Sequence, residues 1–332
     1  MQISNIHNIP LVAAVWAASD DYDHIYEPNY ISATTLLKPT QEIVLRKRLT
    51  TSTVNTIDVA DLLPSALGTS IHTAVENAWK NNYKATLKAL GYDDATIELV
   101  LINPSKEEIK PNSIPIYLEQ RSIKSINGFS VGGKYDIVVE GKLHDVKSTS
   151  VYSWIYGSKV DDYKLQGSIY RWLNPEIITG DSITIVYVFT DWSKAGAKSN
   201  PKYPPKRVEE ISIPLMSIAD TEKFIFDKLE EIKQQSLLEN HELKPCNNQE
   251  LWMKEPTFKY YADINKTSGR STKNFTSEIE ANTYMNTKGK GVVIKSDPLP
   301  TRCNYCAVSN ICLQRAALLS NLEWESDNDS IL

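Results

Sequence analysis

Residues 133–148 constrain the fold of this chain more than any other stretch, because they predict a tight β-hairpin that carries two aspartates. β-Branched and polar residues alternate on both sides of a Glu140-Gly141 pair, where the glycine supplies the positive φ that a two-residue hairpin turn needs. With this pair as the turn, cross-strand partners lie symmetrically about it. Asp136 is then directly opposite Asp145.

Two carboxylates that face each other across a hairpin repel, so the pair predicts a cation between them. A divalent metal ion bound through oxygen ligands fills that role. Lys147 lies two residues beyond Asp145 and therefore on the same face of the strand. A metal ion beside an ammonium group suits phosphodiester hydrolysis. The same register puts Lys134 opposite Lys147, so either the pairing ends before them or both face a phosphate.

A helix is predicted over residues 162–173, where Gln166 and Tyr170 are four residues apart and share a face. Another stripe of this helix is suited to packing on a sheet, and it consists of Leu165, Ile169 and Trp172.

Three sequence elements together resemble the signature of the P-D-(D/E)-x-K nuclease superfamily in its RecB-like form: Gly133 with Asp136, Asp145-x-Lys147, and Gln166-x-x-x-Tyr170. The resemblance implies an α/β fold with a restriction-endonuclease-like core, in which helices flank a central mixed sheet. It implies that both aspartates bind Mg²⁺ or Mn²⁺, that the lysine is catalytic, and that the glutamine and tyrosine contact DNA. The Val146 carbonyl is expected as a further metal ligand.

A second helix is predicted to begin at Thr69 or Ser70. Its Gly68-x-x-x-His72 spacing resembles the first motif of the same family, which implies that His72 is a further metal ligand. Glu76, one turn later, is a possible supporting partner of that ligand. Glu119 ends a predicted strand, and the resemblance implies that it faces the site, while a solvated strand residue is the alternative.

Residues 182–192 predict a buried strand beside the hairpin. The loop that follows carries five basic residues between Lys194 and Arg207, Lys206 among them. Such a loop is either a solvated excursion or a surface that follows the DNA backbone, because lysine and arginine neutralise phosphates whatever the base sequence.

The spacing C-x2-C-x5-C brings Cys303, Cys306 and Cys312 within reach of one metal centre, and Cys246 is the remaining cysteine that can supply a fourth thiolate. Four thiolates fit a tetrahedral Zn²⁺ ion or an iron-sulfur cluster. In the iron-sulfur branch of the RecB-like nucleases, a similar triplet and one distant cysteine hold a [4Fe-4S] cluster. Here the distant cysteine follows the catalytic core instead of preceding it, as in phage-type exonucleases of the superfamily.

Between the cysteines, residues 251–302 carry nine basic residues against five acidic ones, although the net charge of the chain is −5. Four aromatic residues are interleaved with them, namely Phe258, Tyr260, Tyr261 and Phe275. This composition predicts either a track for single-stranded nucleic acid or a plain solvated subdomain.

The predicted organisation is a helical or irregular lead-in (1–62), a nuclease core (63–238), a basic cysteine-cluster region (239–322) and a disordered acidic tail (323–332). No apolar segment approaches the roughly 20 residues that span a bilayer, and the first basic residue is Lys38, so neither a membrane span nor a signal peptide is expected. We therefore expect a cytoplasmic protein without membrane contact.

These features lead to the hypothesis of a metal-dependent DNA exonuclease that acts at a free DNA end. A role in phage or bacterial recombination, repair or DNA processing is implied by the resemblance. The alternatives are an endonuclease with the same site and a catalytically silent DNA-binding or assembly subunit.

Overall fold

The computed structural model describes residues 2–19, 23–50, 56–157 and 159–328, with side chains up to residue 320. The chain divides into two compact units, one formed by residues 1–38 and 55–233 and the other by residues 39–54 and 234–332.

The strands of the first unit are β1 (Gln2–Ser4), β2 (Tyr30–Ser32), β3 (Thr56–Asp58), β4 (Val100–Ile102), β5 (Ile114–Leu118), β6 (Arg121–Ile126), β7 (Phe129–Lys134), β8 (Ile137–Val139), β9 (Lys142–Thr149), β10 (Ser182–Phe189) and β11 (Val208–Pro214). Those of the second unit are β12 (Thr257–Tyr261), β13 (Lys273–Phe275) and β14 (Val292–Ser296).

The α-helices are α1 (Leu11–Ala18), α2 (Ala33–Leu36), α3 (Thr40–Arg46), α4 (Val59–Asn77), α5 (Tyr83–Ala89), α6 (Asp94–Leu99), α7 (Val151–Tyr156), α8 (Val160–Leu173), α9 (Lys194–Ser199), α10 (Ile218–Ser236), α11 (Glu278–Lys288) and α12 (Leu313–Asn328). A π-helical turn (Ala78–Asn82) joins α4 to α5, and a 3₁₀ helix spans Thr301–Tyr305. Helices α3, α11 and α12 belong to the second unit.

A mixed six-stranded sheet in the order β11-β10-β9-β8-β5-β4 forms the centre of the first unit. Strands β9 and β10 run parallel, as do β4 and β5, and the other neighbours are antiparallel. Helix α8 packs against this sheet, with Ile169 and Trp172 completely buried, while Leu165 is half-buried. The prediction of an α/β fold with a central mixed sheet is confirmed at this level.

The predicted hairpin is present and consists of β8 and β9. Its register pairs Ile137 with His144 and Val139 with Lys142, symmetrically about the turn. Both turn residues have left-handed backbone angles, with φ of 47° at Glu140 and 80° at Gly141. Such angles are typical of the type I′ turn, whose twist matches that of the two flanking strands.

The pairing of the hairpin ends at Ile137, so Lys134 does not lie opposite Lys147. Lys134 is instead paired with Arg121 in a separate three-stranded sheet of order β2-β7-β6. The chain leaves one sheet and enters the next at residues 135–136. Asp136 therefore lies between two strands, and its carboxylate accepts a hydrogen bond of 2.9 Å from the N–H of Val146. The prediction that Asp136 and Asp145 form a cross-strand pair is therefore wrong.

Helix α4 begins ten residues earlier than its sequence pattern predicted. Asp58 caps it by accepting a hydrogen bond from the N–H of Ala60, and the helix continues through Pro64. The predicted boundary at residue 62 therefore falls inside this helix. Pro64 lacks the N–H that an interior helical residue donates, and it lies inside the helix, in its second turn.

The second unit includes a segment that the sequence pattern assigned to the lead-in. Val44 and Leu45 lie in the last turn of α3 and are buried against Leu243 and Val308. Burial of these apolar side chains explains why residues 39–54 belong to this unit. Helix α12 continues to Asn328, into the predicted tail, whereas residues 329–332 lie outside the described part of the chain.

The aromatic residues of the 251–302 region are mostly structural. Tyr260 and Tyr261 are 1% and 7% exposed, and the ring of Tyr260 contacts that of Tyr284 on α11 edge to face, with ring centroids 5.2 Å apart. The three-stranded sheet β13-β12-β14 thus uses these rings to pack against α11. A base-stacking track along these two tyrosines, one of the two alternatives for this region, is not possible because buried rings cannot stack on nucleotide bases.

In the described ranges, no helix is both long and apolar enough to cross a membrane.

Candidate active site

Three polar side chains from different elements converge in the first unit. They are His72 on α4, Glu119 directly after β5, and Asp136 between β7 and β8, and one ligand atom of each lies within 4.8 Å of the others. His72 Nδ1 is 3.2 Å from Asp136 Oδ2 and 4.0 Å from Glu119 Oε1. An imidazole and two carboxylates at such distances could hold a divalent cation.

The close packing of α4 on β9 explains the position of His72. A Cβ atom at Gly68 would lie 3.3 Å from the hydroxyl oxygen of Ser148, so glycine permits the helix to approach the strand closely. His72 follows one helical turn later and therefore points to the same side of the helix. This contact gives the Gly68-x-x-x-His72 spacing a structural reason.

Glu119 has an unusual backbone conformation for a non-glycine residue. Its φ is 50°, and its N–H donates a hydrogen bond of 2.8 Å to the carbonyl oxygen of Asp136. Left-handed backbone at such a residue costs about 1 kcal/mol or more, and this strain is concentrated at functional sites. Burial raises the pKa of Glu119, while the ammonium of Lys134, 2.8 Å from Oε2, opposes this shift. The strain favours the interpretation that Glu119 faces the site over that of a solvated strand residue.

Asp145 is almost completely buried, with 1% of its surface exposed. Lys147 Nζ lies 2.6 Å from Asp145 Oδ2, and apart from this ammonium no hydrogen-bond donor of the described residues reaches either carboxylate oxygen. Burial raises the pKa of Asp145 to about 6. A buried carboxylate with so few donors has unused capacity to bind a cation.

Lys147 keeps its charge although it is largely buried. Burial by itself would lower the pKa of Lys147, but the negative charges of Asp145 and Asp136 outweigh that effect and raise the pKa above its ordinary value. Its ammonium also lies 5.7 Å from the centre of the Tyr163 ring. The predicted neighbourhood of Asp145 and Lys147 on one face of β9 is therefore present.

Protein cations balance the acids of this site. Lys134 pairs with Glu119, Lys147 pairs with Asp145, and His72 contacts Asp136. The contact with Asp136 raises the pKa of His72, and burial opposes this shift. A bound divalent cation would therefore compete with a proton on the histidine and with two ammonium groups.

A small cavity of about 10 Å³ is lined by the three converging residues together with Val75, Glu76, Ile137 and Val146. Asp145 does not line this cavity. Its carboxylate interacts electrostatically with Asp136, which does line the cavity, and with Lys147. Glu76 forms an ion pair of 2.5 Å with Lys80 on its own helix. The donor set of oxygens and one imidazole nitrogen fits a hard divalent cation.

Gln166 and Tyr170 contact each other on α8, where the amide of Gln166 donates a hydrogen bond of 2.8 Å to the tyrosine hydroxyl. Tyr170 is only 4% exposed, and its ring packs on Gly133, where a Cβ atom would lie 2.8 Å from the ring. This burial leaves little of Tyr170 accessible, and its contact with DNA stays a prediction. The tyrosine orients Gln166, which is half-buried.

The basic side chains predicted to contact DNA are exposed at one edge of the sheet. Lys194 is the first residue of α9, and Lys206 and Arg207 directly precede β11. The Arg207 guanidinium lies 5.7 Å from the centre of the Trp192 ring and donates a hydrogen bond to the Trp192 carbonyl.

The four cysteines line one small cavity of about 20 Å³ in the second unit. The side chain of Gln314 holds Cys246 there, because it accepts a hydrogen bond from the N–H of Cys246 and donates one to its carbonyl oxygen, both 2.8 Å long. The Cys246 thiol donates to the side-chain oxygen of Gln41 over 3.3 Å. Burial raises the pKa of Cys246 to about 12 and also raises the pKa values of Cys303 and Cys306.

Sequence reasoning missed Gln41, Gln314 and the ion pair of Lys134 with Glu119. Gln41 precedes Cys246 by 205 residues, and no local pattern connects residues so far apart. For Lys134 the predicted register of the hairpin was right, but the pairing of β8 with β9 ends at Ile137, before Lys134 is reached.

No protein-family model matches the chain, and no curated protein sequence gives a significant match. Among solved structures, it is similar to the crystal structure of SSO0001, with a TM-score of 0.38 and 16% identity over 63% of this chain and 78% of that one. It is also similar to a phage-related exonuclease from Haemophilus somnus 129PT, with a TM-score of 0.26 and 16% identity over 63% of this chain and 95% of that one.

Proposed function

We propose that this protein is a metal-dependent nuclease that hydrolyses phosphodiester bonds of DNA. One observation carries the proposal, namely the convergence of His72, Glu119 and Asp136 within 4.8 Å, next to the buried ion pair of Asp145 and Lys147. Strained backbone at Glu119 and a buried carboxylate with unused oxygen atoms support a functional role rather than a structural one.

The residues that would hold Mg²⁺ or Mn²⁺ are His72, Glu119, Asp136 and Asp145, with the Val146 carbonyl as a further ligand. When bound, such a cation polarises a phosphoryl oxygen and lowers the pKa of a coordinated water molecule. The side chains at the site are of the types that these hard cations prefer, apart from one imidazole.

Lys147 acts in this proposal as a fixed positive charge. Because Asp145 and Asp136 raise its pKa, its ammonium group remains protonated and cannot accept a proton from water. It is instead suited to stabilise the negative charge that develops on the phosphate in the transition state. Gln166, oriented by Tyr170, and the exposed cations Lys194, Lys206 and Arg207 bind the DNA strand in this proposal.

Within nuclease chemistry we propose exonuclease action at a free DNA end, in the cytoplasm and in phage or bacterial DNA recombination, repair or processing. The RecB-like motif pattern supports this choice. An endonuclease with the same site is the second candidate, because the same ligands serve internal cleavage equally well.

Linear end-labelled DNA and covalently closed circular DNA, each incubated with Mg²⁺ or Mn²⁺, separate these possibilities. Degradation of the linear form alone is the expected result, and cutting of the circle would establish an endonuclease. If neither form is cut with either cation at a range of pH values, a silent DNA-binding or assembly subunit replaces the proposal.

For the second unit we propose that Cys246, Cys303, Cys306 and Cys312 bind a structural metal centre, a [4Fe-4S] cluster with Zn²⁺ as the alternative. Their common cavity supports this assignment. Four thiolates fit either centre, and the resemblance of the cysteine triplet to that of the iron-sulfur branch is the reason for putting the cluster first. Absorption near 400 nm after anaerobic purification is expected, and stoichiometric zinc in a colourless protein would contradict the cluster.

A further inference from the structure

The helix that directly follows β9 presents two exposed tyrosine rings. Tyr152 and Tyr156 on α7 are 55% and 63% exposed, and their ring centroids lie 4.3 Å apart with an angle of 35° between the ring planes. Within the described part of the chain, neither hydroxyl group has a hydrogen-bond partner. The two rings therefore lie against each other at a tilt, as a pair that is more than half exposed to solvent.

The opposite face of α7 is firmly anchored. Trp154 contacts Tyr187 and Phe189 edge to face, with ring centroids 5.8 and 5.9 Å away. The N–H of Val151 donates a hydrogen bond of 2.8 Å to the carboxylate of Asp191, beyond the end of β10. These contacts fix the helix, so the exposed rings are presented in a defined orientation rather than on a loose loop.

A chain of aromatic contacts connects α7 to the proposed active site. Tyr187, which contacts Trp154, lies 6.3 Å from the ring of Tyr163, and Tyr163 lies beneath the ammonium of Lys147. Tyr187 is also the partner of Lys147 in the pairing of β9 with β10. This chain runs through buried rings and connects the anchored face of α7 to the ring beneath Lys147.

The surroundings of the pair are suited to phosphates. Strands β9 and β10 are parallel and pair up to Thr149 and Phe189, so the segments that follow them emerge at the same edge of the sheet. Residues 190–207, which follow β10, contain five exposed basic residues and one acid, Asp191. Positive charge and flat aromatic surface therefore lie at one edge.

We propose that Tyr152 and Tyr156 form a base-stacking platform for single-stranded nucleic acid, whose phosphates are bound by the basic 190–207 segment. The proposal rests on the proposed nuclease function and adds the substrate class, an unpaired strand or a frayed duplex end. Only an unpaired base exposes a face to a flat protein ring, because the bases inside a duplex already stack on each other. Base stacking also explains why both rings are exposed and why neither hydroxyl has a polar partner among the described residues.

The test measures the affinity of the full-length protein for a fluorescently labelled twelve-nucleotide oligothymidine by fluorescence anisotropy. The buffer contains Ca²⁺ in place of Mg²⁺ or Mn²⁺. The double variant Tyr152→Ala with Tyr156→Ala is expected to bind about tenfold or more weakly. The double variant Tyr152→Phe with Tyr156→Phe keeps the rings and should bind within about twofold of the original protein. Tyr92→Ala, which removes a tyrosine that is 53% exposed and lies outside this edge, is the matched control and should bind normally.

A twelve-nucleotide oligonucleotide that is abasic at every position separates stacking from charge, because it keeps the phosphates and has no base that can stack. The alanine and original proteins should bind it about equally, because the lost partner is the base. Equal weakening on both oligonucleotides, or weakening by the phenylalanine variant, would overturn the platform. A change in self-association of the alanine variant with unchanged oligonucleotide binding would assign the pair to an interface between copies and also overturn it.

Hydrolysis of thymidine 5′-p-nitrophenyl phosphate distinguishes this proposal from the proposed function. This substrate has no neighbouring base on the scissile phosphate, so the tyrosine variants should cleave it at the original rate. Absence of this hydrolysis in the original protein counts against the nuclease proposal, whereas the binding comparison still decides whether the rings stack on bases.

Discussion

The two candidate metal centres of this chain handle charge in opposite ways. In the first unit, Lys134, Lys147 and His72 lie against the carboxylates of Glu119, Asp145 and Asp136, so protein groups already partner the acids. In the second unit, burial raises the pKa values of three of the cysteines, so those thiols are neutral until a cation displaces their protons. The first site is thus assembled before a metal binds, whereas the second depends on its metal to become a charged ligand set.

This difference predicts different consequences of metal loss. A self-compensated site keeps its structure when the cation leaves, because its acids return to protein partners. A thiol site that loses its metal loses the bonds that join its cysteines, and two of these, Cys306 and Cys312, pack on the cluster of Val44, Leu45, Leu243 and Val308. The first centre is suited to exchange of a catalytic cation and the second to structural support.

The largest expected effect is that of Asp145→Asn on the nuclease reaction. Loss of this buried negative charge removes a proposed metal ligand and the partner of Lys147, so the rate of DNA cleavage should fall about 10³-fold. Asp94→Asn is the matched control, because Asp94 forms a similar but exposed ion pair with Lys88. Cleavage of end-labelled DNA measures both, and an unchanged rate in Asp145→Asn would remove the catalytic assignment.

Cys312→Ser should destabilise the second unit by more than about 3 kcal/mol, because the binding free energy of a structural metal contributes directly to folding. Limited proteolysis should then cut within residues 234–320 while the first unit stays resistant. Washing the original protein with a chelator that removes only Mg²⁺ or Mn²⁺ is the comparison, and it should leave protease resistance unchanged. Equal sensitivity of both units after either treatment would contradict the contrast between the centres.

The pH dependence of cation binding should also differ. Because the pKa of His72 is raised above 6.5, protonated histidine competes with the cation already near neutral pH. Affinity of the first site should fall about tenfold per pH unit below that pKa. In the metal-free protein, the effect of pH on folding stability has the opposite sign. Protonated His72 stabilises the folded protein below pH 6.5, and this contribution is lost as the pH rises through the folded pKa.

Calorimetric titration with Mn²⁺ between pH 6 and 8 measures this dependence, and His72→Gln should flatten it. Reconstitution of the cysteine centre should depend on pH more steeply, since several thiols must lose protons. A single shallow slope for both centres would mean that the thiols are already ionised before metal binds.

The smallest expected effect is that of Lys134→Met. This ammonium competes with a cation for Glu119, so its removal should tighten Mn²⁺ binding by about two- to fivefold. Lys80→Met removes the exposed partner of Glu76 and should change the affinity less. Weaker Mn²⁺ binding in Lys134→Met would show that the lysine supports the site rather than competing for it.

The two units also differ in which aromatic residues are accessible to a nucleic acid. The sequence pattern pointed to Tyr260 and Tyr261, among basic residues of the 251–302 region, but burial against α11 removes them from solvent. Tyr152 and Tyr156 carried no comparable signal, because their neighbours in sequence are uncharged. Composition reports which residue types are present, whereas only packing determines which rings remain exposed.

The sequence by itself determined the parts of this protein that depend on short-range rules. Glu140 and Gly141 defined the hairpin and its register, and the period of two in a strand put Asp145 and Lys147 on one face. Helical spacing likewise joined Gln166 to Tyr170.

Only the tertiary structure decided what depends on contacts between distant segments. The change of sheet before β8 separated Lys134 from Lys147 and paired it with Glu119, and the approach of α4 to β9 brought His72 to Asp136. Gln41 and Gln314 reached Cys246 across long stretches of chain. Such contacts follow from the burial of apolar faces in competition with one another, and no periodicity within a single segment records the outcome of that competition.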